Sequence, residues 1–198
     1  MRDGTVLSVS PSGEQAVTVS VCREGSAVTV TVGRSVWERL SSPEAGEVLS
    51  PRALDELLLS GRRREAYRIA VRLLEGGDMN ARTLASKLVR RGVLKDDALF
   101  AVNRMRELGY INEREQAERY AASMARRNLW GRRRIIAELT ARGYSSEDAV
   151  HGVQAAEADG RIDFQKGRTE LIHRLSRRGI AEDKLRAALY RYGYGGEE

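Results

Sequence analysis

Hydrophobic positions in the first part of the chain recur at every second residue. Val17, Val19 and Val21 share one face, and Val28, Val30 and Val32 repeat the pattern after Arg23-Glu24-Gly25-Ser26. A further segment, Thr5–Val9, precedes a Pro11-Ser12-Gly13 turn. β-Branched residues in period two, separated by turn residues, predict three short antiparallel strands. A short helix is expected around Val36–Leu40. The period then changes: Ser50 stands as an N-cap and Pro51 in a first helical turn, with Leu54, Leu57 and Leu58 on one face. From Arg62 onward the apolar spacing is helical throughout.

The helical part repeats. Aligned on Gly92, Gly143 and Gly179, the chain places Leu88, Leu139 and Leu175 four residues before each glycine. Leu84, Ile135 and Leu171 lie eight before, and Val93, Tyr144 and Ile180 one after. Offsets of four and eight put two apolar residues on one helix face. Each glycine fits the left-handed position that ends a helix, with Arg91, Arg142 or Arg178 just before it. The first two units share a further helix in front, pairing Ala66 with Ala117, Ile69 with Tyr120 and Leu73 with Met124. The third unit lacks the chain for it. The expected fold is therefore mainly α: tandem three-helix repeats, the third truncated, behind a small β-containing unit. The expected divisions are 1–61 (α+β), 62–110 and 111–161 (three helices each) and 162–198 (shortened).

The densest information lies between Leu108 and Gly143, in LGYINEREQAERYAASMARRNLWGRRRIIAELTARG. Gly109-Tyr110 closes one helix, Asn112 opens the next with Glu115 at capping-box spacing, and Asn128, Trp130 and Gly131 break it. This run resembles the signature of the RecX family, regulatory proteins that act on the RecA recombinase. The resemblance rests on Leu108, Gly109, Tyr110, Ile111, Asn112, Glu113, Ala117, Tyr120, Trp130, Gly131, Arg134 and Ile135. One position departs from it: Arg132 stands where the family usually has a proline. The resemblance implies tandem three-helix repeats. It also implies a protein that binds RecA and the RecA–DNA filament and restrains ATPase, strand-exchange and co-protease activities in recombination and repair.

Charge changes the picture next. Residues 1–60 hold five arginines against eight acids, a net −3, and the remainder carries +9 of the chain's +6 total. So uneven a balance points the helical part at nucleic acid or an acidic partner. The candidate contacts are Arg90, Arg91, Arg126, Arg127, Arg132, Arg133, Arg134, Arg142, Arg177 and Arg178, together with Trp130. A guanidinium fork binds two phosphate or carboxylate oxygens at once, without reading sequence. The plainer reading is a set of solvated arginines whose stems cover apolar helix surface. Trp130 and Tyr110 are either base-stacking platforms or plugs at helix ends. Direct binding of single- or double-stranded DNA remains open. So does the alternative of a helix-turn-helix DNA-binding regulator with no RecA partner. Against that alternative, the candidate recognition helices open on acids, Asp96-Asp97 and Glu147-Asp148.

No enzyme is expected. His151 and His173 lie in separate helices without partners at ligand spacing, and no phosphate-loop, zinc-protease or nucleophile-elbow motif occurs. Glu113 and Glu115 sit in a first helical turn, where acids favour the helix dipole. Cys22 is the single cysteine, so neither a disulfide nor a cysteine metal cluster is expected, and no metal or cofactor is implied. With no long apolar run and no apolar signal segment, the expectation is a cytoplasmic protein without a membrane partner.

Overall fold

A computed structural model describes residues 2–195. The chain forms two compact units, Met1–Gly77 with Leu84–Tyr110, and Asp78–Thr83 with Ile111–Glu198. Three strands and nine helices are present among the described residues.

The first unit begins with a three-stranded antiparallel sheet of β1 (Val6–Pro11), β2 (Ala16–Arg23) and β3 (Ser26–Gly33), in that order. Glu24 and Gly25 join β2 to β3 with φ of 48° and 76°, the left-handed pair that a two-residue hairpin needs to match strand twist. Val17, Val19, Val21 and Val32 bury their face against Trp37, Leu49, Leu54, Leu57 and Leu58. On β2 and β3 the opposite face carries hydroxyls, paired as Thr18 with Thr31 and Ser20 with Thr29. The period-two pattern thus sorts apolar side chains from polar ones as expected.

Helix α1 spans Arg34–Arg39, and α2 spans Pro51–Glu75. Ser50 Oγ accepts from the Ala53 N–H at the start of α2, and Pro51 occupies its first turn. The position between residues 61 and 62 falls inside α2, which is a single 25-residue helix. Gly61 does not end the helix. A Cβ there would lie 2.6 Å from Val30 Cβ, so glycine lets α2 approach β3. Helices α3 (Ala81–Arg90) and α4 (Lys95–Glu107) follow, with Leu84, Leu88, Ala98, Ala101, Val102 and Met105 buried. The buried Asp97 carboxylate accepts from Arg62 Nε at 3.1 Å.

The second unit contains α5 (Glu113–Asn128), α6 (Arg132–Ala141), α7 (Ser146–Ala158), α8 (Phe164–Arg177) and α9 (Glu182–Tyr192). Its main core gathers Ala117, Ala121, Met124, Ile135, Leu139, Tyr144, Val153 and Ile162. A smaller core joins Leu129 to Leu171, Leu175, Ala188 and Leu189. Helices therefore succeed one another as α2–α4, α5–α7 and α8–α9: two triplets and a pair. All three anchor glycines, Gly92, Gly143 and Gly179, have positive φ, of 86°, 97° and 74°. The N–H one residue past each returns to the carbonyl of Leu88, Leu139 or Leu175.

The side-chain ladder also repeats. Asp97 and Asp148 both lie five residues past their anchor glycines, and Arg114 reaches Asp148 as Arg62 reaches Asp97. In the shortened unit that position is Lys184. No leading helix precedes α8 to bring an arginine, and an acid there would have no partner of this kind.

Candidate anion-binding surface

Gly131 and the three arginines after it form the N-terminus of α6. Asn112 caps α5 by accepting from the Glu115 N–H, and Glu115 in turn accepts from the Asn112 side-chain amide. The helix ends at Leu129, held left-handed at φ 52° because its side chain is buried in the smaller core. Gly131 then donates its N–H to the Tyr192 carbonyl at 2.7 Å. A Cβ on Gly131 would stand 2.5 Å from the Gly193 carbonyl oxygen, so only glycine lets the end of α9 close over this turn. Trp130 is half-buried against the main core, as a plug at the helix boundary.

The arginine run is engaged within the unit. Arg132 pairs with Glu157 at 2.6 Å and lies over the Phe164 ring. Arg133 donates to the Gly195 carbonyl at 2.9 Å and to Tyr190 Oη at 3.0 Å, and lies over the Tyr190 ring. That donated bond holds the Tyr190 hydroxyl below its ordinary pKa. Arg134 donates to the Arg191 carbonyl at 2.9 Å and sits between the rings of Trp130 and Tyr192. Three cations at a helix N-terminus oppose its dipole, and here Arg133 and Arg134 hold α9 in place while Arg132 ties α6 to α7 and α8. Arg142 is likewise engaged, with Glu138 at 2.9 Å and the Tyr120 ring.

The other candidates are more open. Arg90 and Arg91 are exposed at the end of α3, Arg126 and Arg127 at the end of α5, and Arg177 and Arg178 at the end of α8. Each pair favours its helix dipole. Arg177 and Arg178 stand at the far end of α8 from Phe164, about 20 Å along the axis at 1.5 Å per residue.

One cavity of about 960 Å³ collects basic groups that the sequence does not place together. Its walls carry Arg132 and Arg133 from α6, Arg168 from α8 and Arg186 from α9, with Phe164, Tyr190 and Tyr194 between them, and among the described residues no acid lines it. Arg168 and Arg186 are exposed and form no ion pair among the described residues. Burial, and then the nearby Glu170 charge, push the Tyr194 hydroxyl up to about 12, so it stays protonated. Four guanidiniums on one concave wall suit an oxyanion, and aromatic faces beside them suit a flat or stacked group. Arg168 was legible in the register, since it lies eleven residues before its anchor as Arg132 does. Nothing in the spacing marks Arg186 or Tyr190.

A second polar cluster clasps the segment 78–83. Asn80 accepts from the Thr83 N–H and donates to the Arg142 carbonyl; Gln116 donates to the Met79 carbonyl and accepts from Tyr144 Oη. Arg119 pairs with Asp78. Asn80 and Gln116 are buried, and burial, ahead of the Tyr120 and Glu113 charges, raises the Tyr144 hydroxyl to about 12. These contacts tie the segment 78–83 to α5 and to the α6–α7 turn. Among the described residues no His, Cys, Asp or Glu group is arranged to hold a metal, and no helix is long and apolar enough to cross a membrane.

No family model matches the chain. In sequence it is 30% identical over 96 residues to the regulatory protein RecX of Trichlorobacter lovleyi (strain ATCC BAA-1151 / DSM 17278 / SZ). That match spans 48% of this chain and 62% of the length of the curated relative. In structure it is similar to a crystal structure of regulatory protein RecX, with a TM-score of 0.74, 15% identity, and coverage of 96% of this chain and 94% of that one. RecX from Lactobacillus salivarius gives a TM-score of 0.59 at 18% identity over 68% of this chain and 89% of that one. The fold is thus that of the RecX crystal structures, and the sequence match, over about half of this chain, is to a regulatory protein RecX.

Proposed function

We propose that the chain is a RecX-type regulator that binds RecA and the RecA–DNA filament and restrains its activities, with no catalysis of its own. The observation that carries this reading is the signature run from Leu108 to Ile135, seated on helices of the RecX fold. The acids that open α4 and α7 speak against a helix-turn-helix reader. Asp97 is buried on Arg62, and Glu147 and Asp148 are paired with Arg114, so both helix N-termini carry acids held on the protein's own arginines, where a reader would turn cations and amides to the DNA.

Within this reading the second unit's cavity is the anion contact, with Arg168 and Arg186 as its free cations. Arg90, Arg91, Arg126, Arg127, Arg177 and Arg178 are further exposed candidates, while Arg132 and Arg133 shape the surface and Arg133 and Arg134 hold α9. The experiment measures RecA's DNA-dependent ATPase with wild type and with an Arg168→Ala, Arg186→Ala variant, alongside affinity for single-stranded DNA across a salt series. Loss of inhibition is expected. If both arginines meet phosphates, the salt slope falls by about 1.4, at about 0.7 per contact. If they meet acidic protein groups, DNA affinity stays and inhibition alone is lost. Wild-type protein that leaves RecA's ATPase untouched would overturn the function, and a double variant that behaves as wild type would overturn the site.

A further inference from the structure

We propose that the free edge of β3 in the first unit is a docking seat for an extended, acidic peptide, which adds to the sheet as a fourth strand. The argument begins with the direction of the backbone groups. Cys22 N–H donates to the Thr5 carbonyl and its own carbonyl accepts from Gly4, so Cys22, Ser20, Thr18 and Ala16 turn their backbone groups toward β1. Antiparallel pairs alternate, so Val17, Val19 and Val21 bond to Val32, Val30 and Val28. The residues between, Ala27, Thr29 and Thr31, therefore turn N–H and C=O away from β2. Among the described residues those groups have no backbone partner.

The two edges of the sheet are treated differently. On the β1 side the chain covers the Gly4–Val6 end of the edge itself: Val6 bonds with Glu47 and Gly46, and Gly4 accepts from Leu49. On the β3 side a groove of about 770 Å³ remains, and Thr29 and Thr31 both line it. An open edge with matched donors and acceptors is a template for another strand.

The opposite wall selects the occupant. It carries Arg64 and Arg68 from α2 and Arg91 from the α3–α4 turn, with Leu94 as an apolar floor. Arg62 and Arg68 already answer the two acids of the groove, Asp97 and Glu65. Arg64 and Arg91 are exposed and form no ion pair among the described residues, which leaves two cations for the occupant. Phosphate oxygens are acceptors only and would leave the Thr29 and Thr31 carbonyls unanswered. A peptide backbone satisfies both kinds of group, and alternate side chains would meet the arginines and the apolar floor. The observations favour an acidic peptide over a nucleic acid.

The test uses the full chain and a labelled peptide of alternating aspartate and valine, as long as β3. Binding is expected, with the amides of Thr29 and Thr31 becoming protected from hydrogen exchange when it is added. Thr31→Pro removes one outward donor, and an edge strand tolerates proline at such a position. It should weaken binding about tenfold, the loss of one to two main-chain hydrogen bonds. An Arg64→Glu, Arg91→Glu variant should weaken it as well, and a lysine–valine peptide should not bind. Bound peptide that leaves the two amides unprotected would overturn the proposal, as would affinity unchanged in both variants. Protection by oligothymidylate and not by the peptide would make the groove a nucleic-acid seat and overturn it too. None of these outcomes involves RecA, so the result stands apart from the function proposed above.

Discussion

Arg134→Ala should release the last helix of the chain while leaving the main core of the second unit formed. The side chain does three things: it donates to the Arg191 carbonyl at 2.9 Å, and its guanidinium lies 4.4 Å from the Trp130 ring centre and 5.6 Å from that of Tyr192. A hydrogen bond from a charged donor contributes about 1.5–3 kcal/mol, and here the low end applies because the group is half-solvated. Each ring contact at a partly open site contributes about 0.5–1 kcal/mol. The three share one side chain and do not add fully, so a loss of about 2 kcal/mol is expected. That loss belongs to the contact between α6 and α9, which the small cluster of Leu129, Leu171, Leu175, Ala188 and Leu189 supports with few residues. Hydrogen exchange should therefore quicken in α9, at Leu189 and Tyr190, and stay slow in α5 and α7. Arg134→Lys should recover only part, since an ammonium cannot lie flat between two rings. Unchanged exchange in α9 in the alanine variant would refute the reasoning and return Arg134 to the list of free surface cations.

Two further outcomes follow from the packing and the tyrosines. Gly61→Ala gains about 1 kcal/mol of helix propensity but sets a Cβ 2.6 Å from Val30 Cβ, an atom no rotamer can move, so overpacking of about 1–3 kcal/mol should win and the urea midpoint should fall. For Tyr144 and Tyr194, folded pKa values near 12 exceed the unfolded value of 10, so their stabilisation is complete below pH 10 and is lost as pH rises toward 12. Denaturation in that window should track tyrosinate absorbance and weaken in a Tyr144→Phe variant; a wild-type melt flat from pH 9 to 12 would contradict the burial of both hydroxyls.

Much of the scaffold was written in local pattern. The strands, the Ser50 and Asn112 caps and the three left-handed glycines each depend on residues within one turn or one hairpin, where spacing is informative. Arg168 could be found because register carries it from Arg132. The use of Arg132, Arg133 and Arg134 could not, since their partners, Glu157 and Phe164 for the first and Tyr190, Arg191, Tyr192 and Gly195 for the other two, lie far along the chain. The role of Gly61 is not local either. Glycine marks an ending when the backbone needs positive φ and a crossing when a neighbour needs room, and only the position of Val30 tells the two apart. Asn80 and Gln116 gave no signal either, because a buried amide is recognised by its partners rather than by its neighbours in sequence.

The division of the chain has a consequence for how the protein is made. Residues 78–83 belong to the second unit, although Leu84–Tyr110 completes the first. A ribosome delivers Asn80 well before Gln116, Arg119 and Arg142, the groups that later satisfy it and its neighbours. The chain of the first unit is therefore complete before the partners of residues 78–83 exist, and the second unit cannot close until the chain has run through the rest of the first. A fragment that holds the whole first unit, 1–110, must carry residues 78–83 with it, and one that holds the whole second unit, 78–198, must carry 84–110.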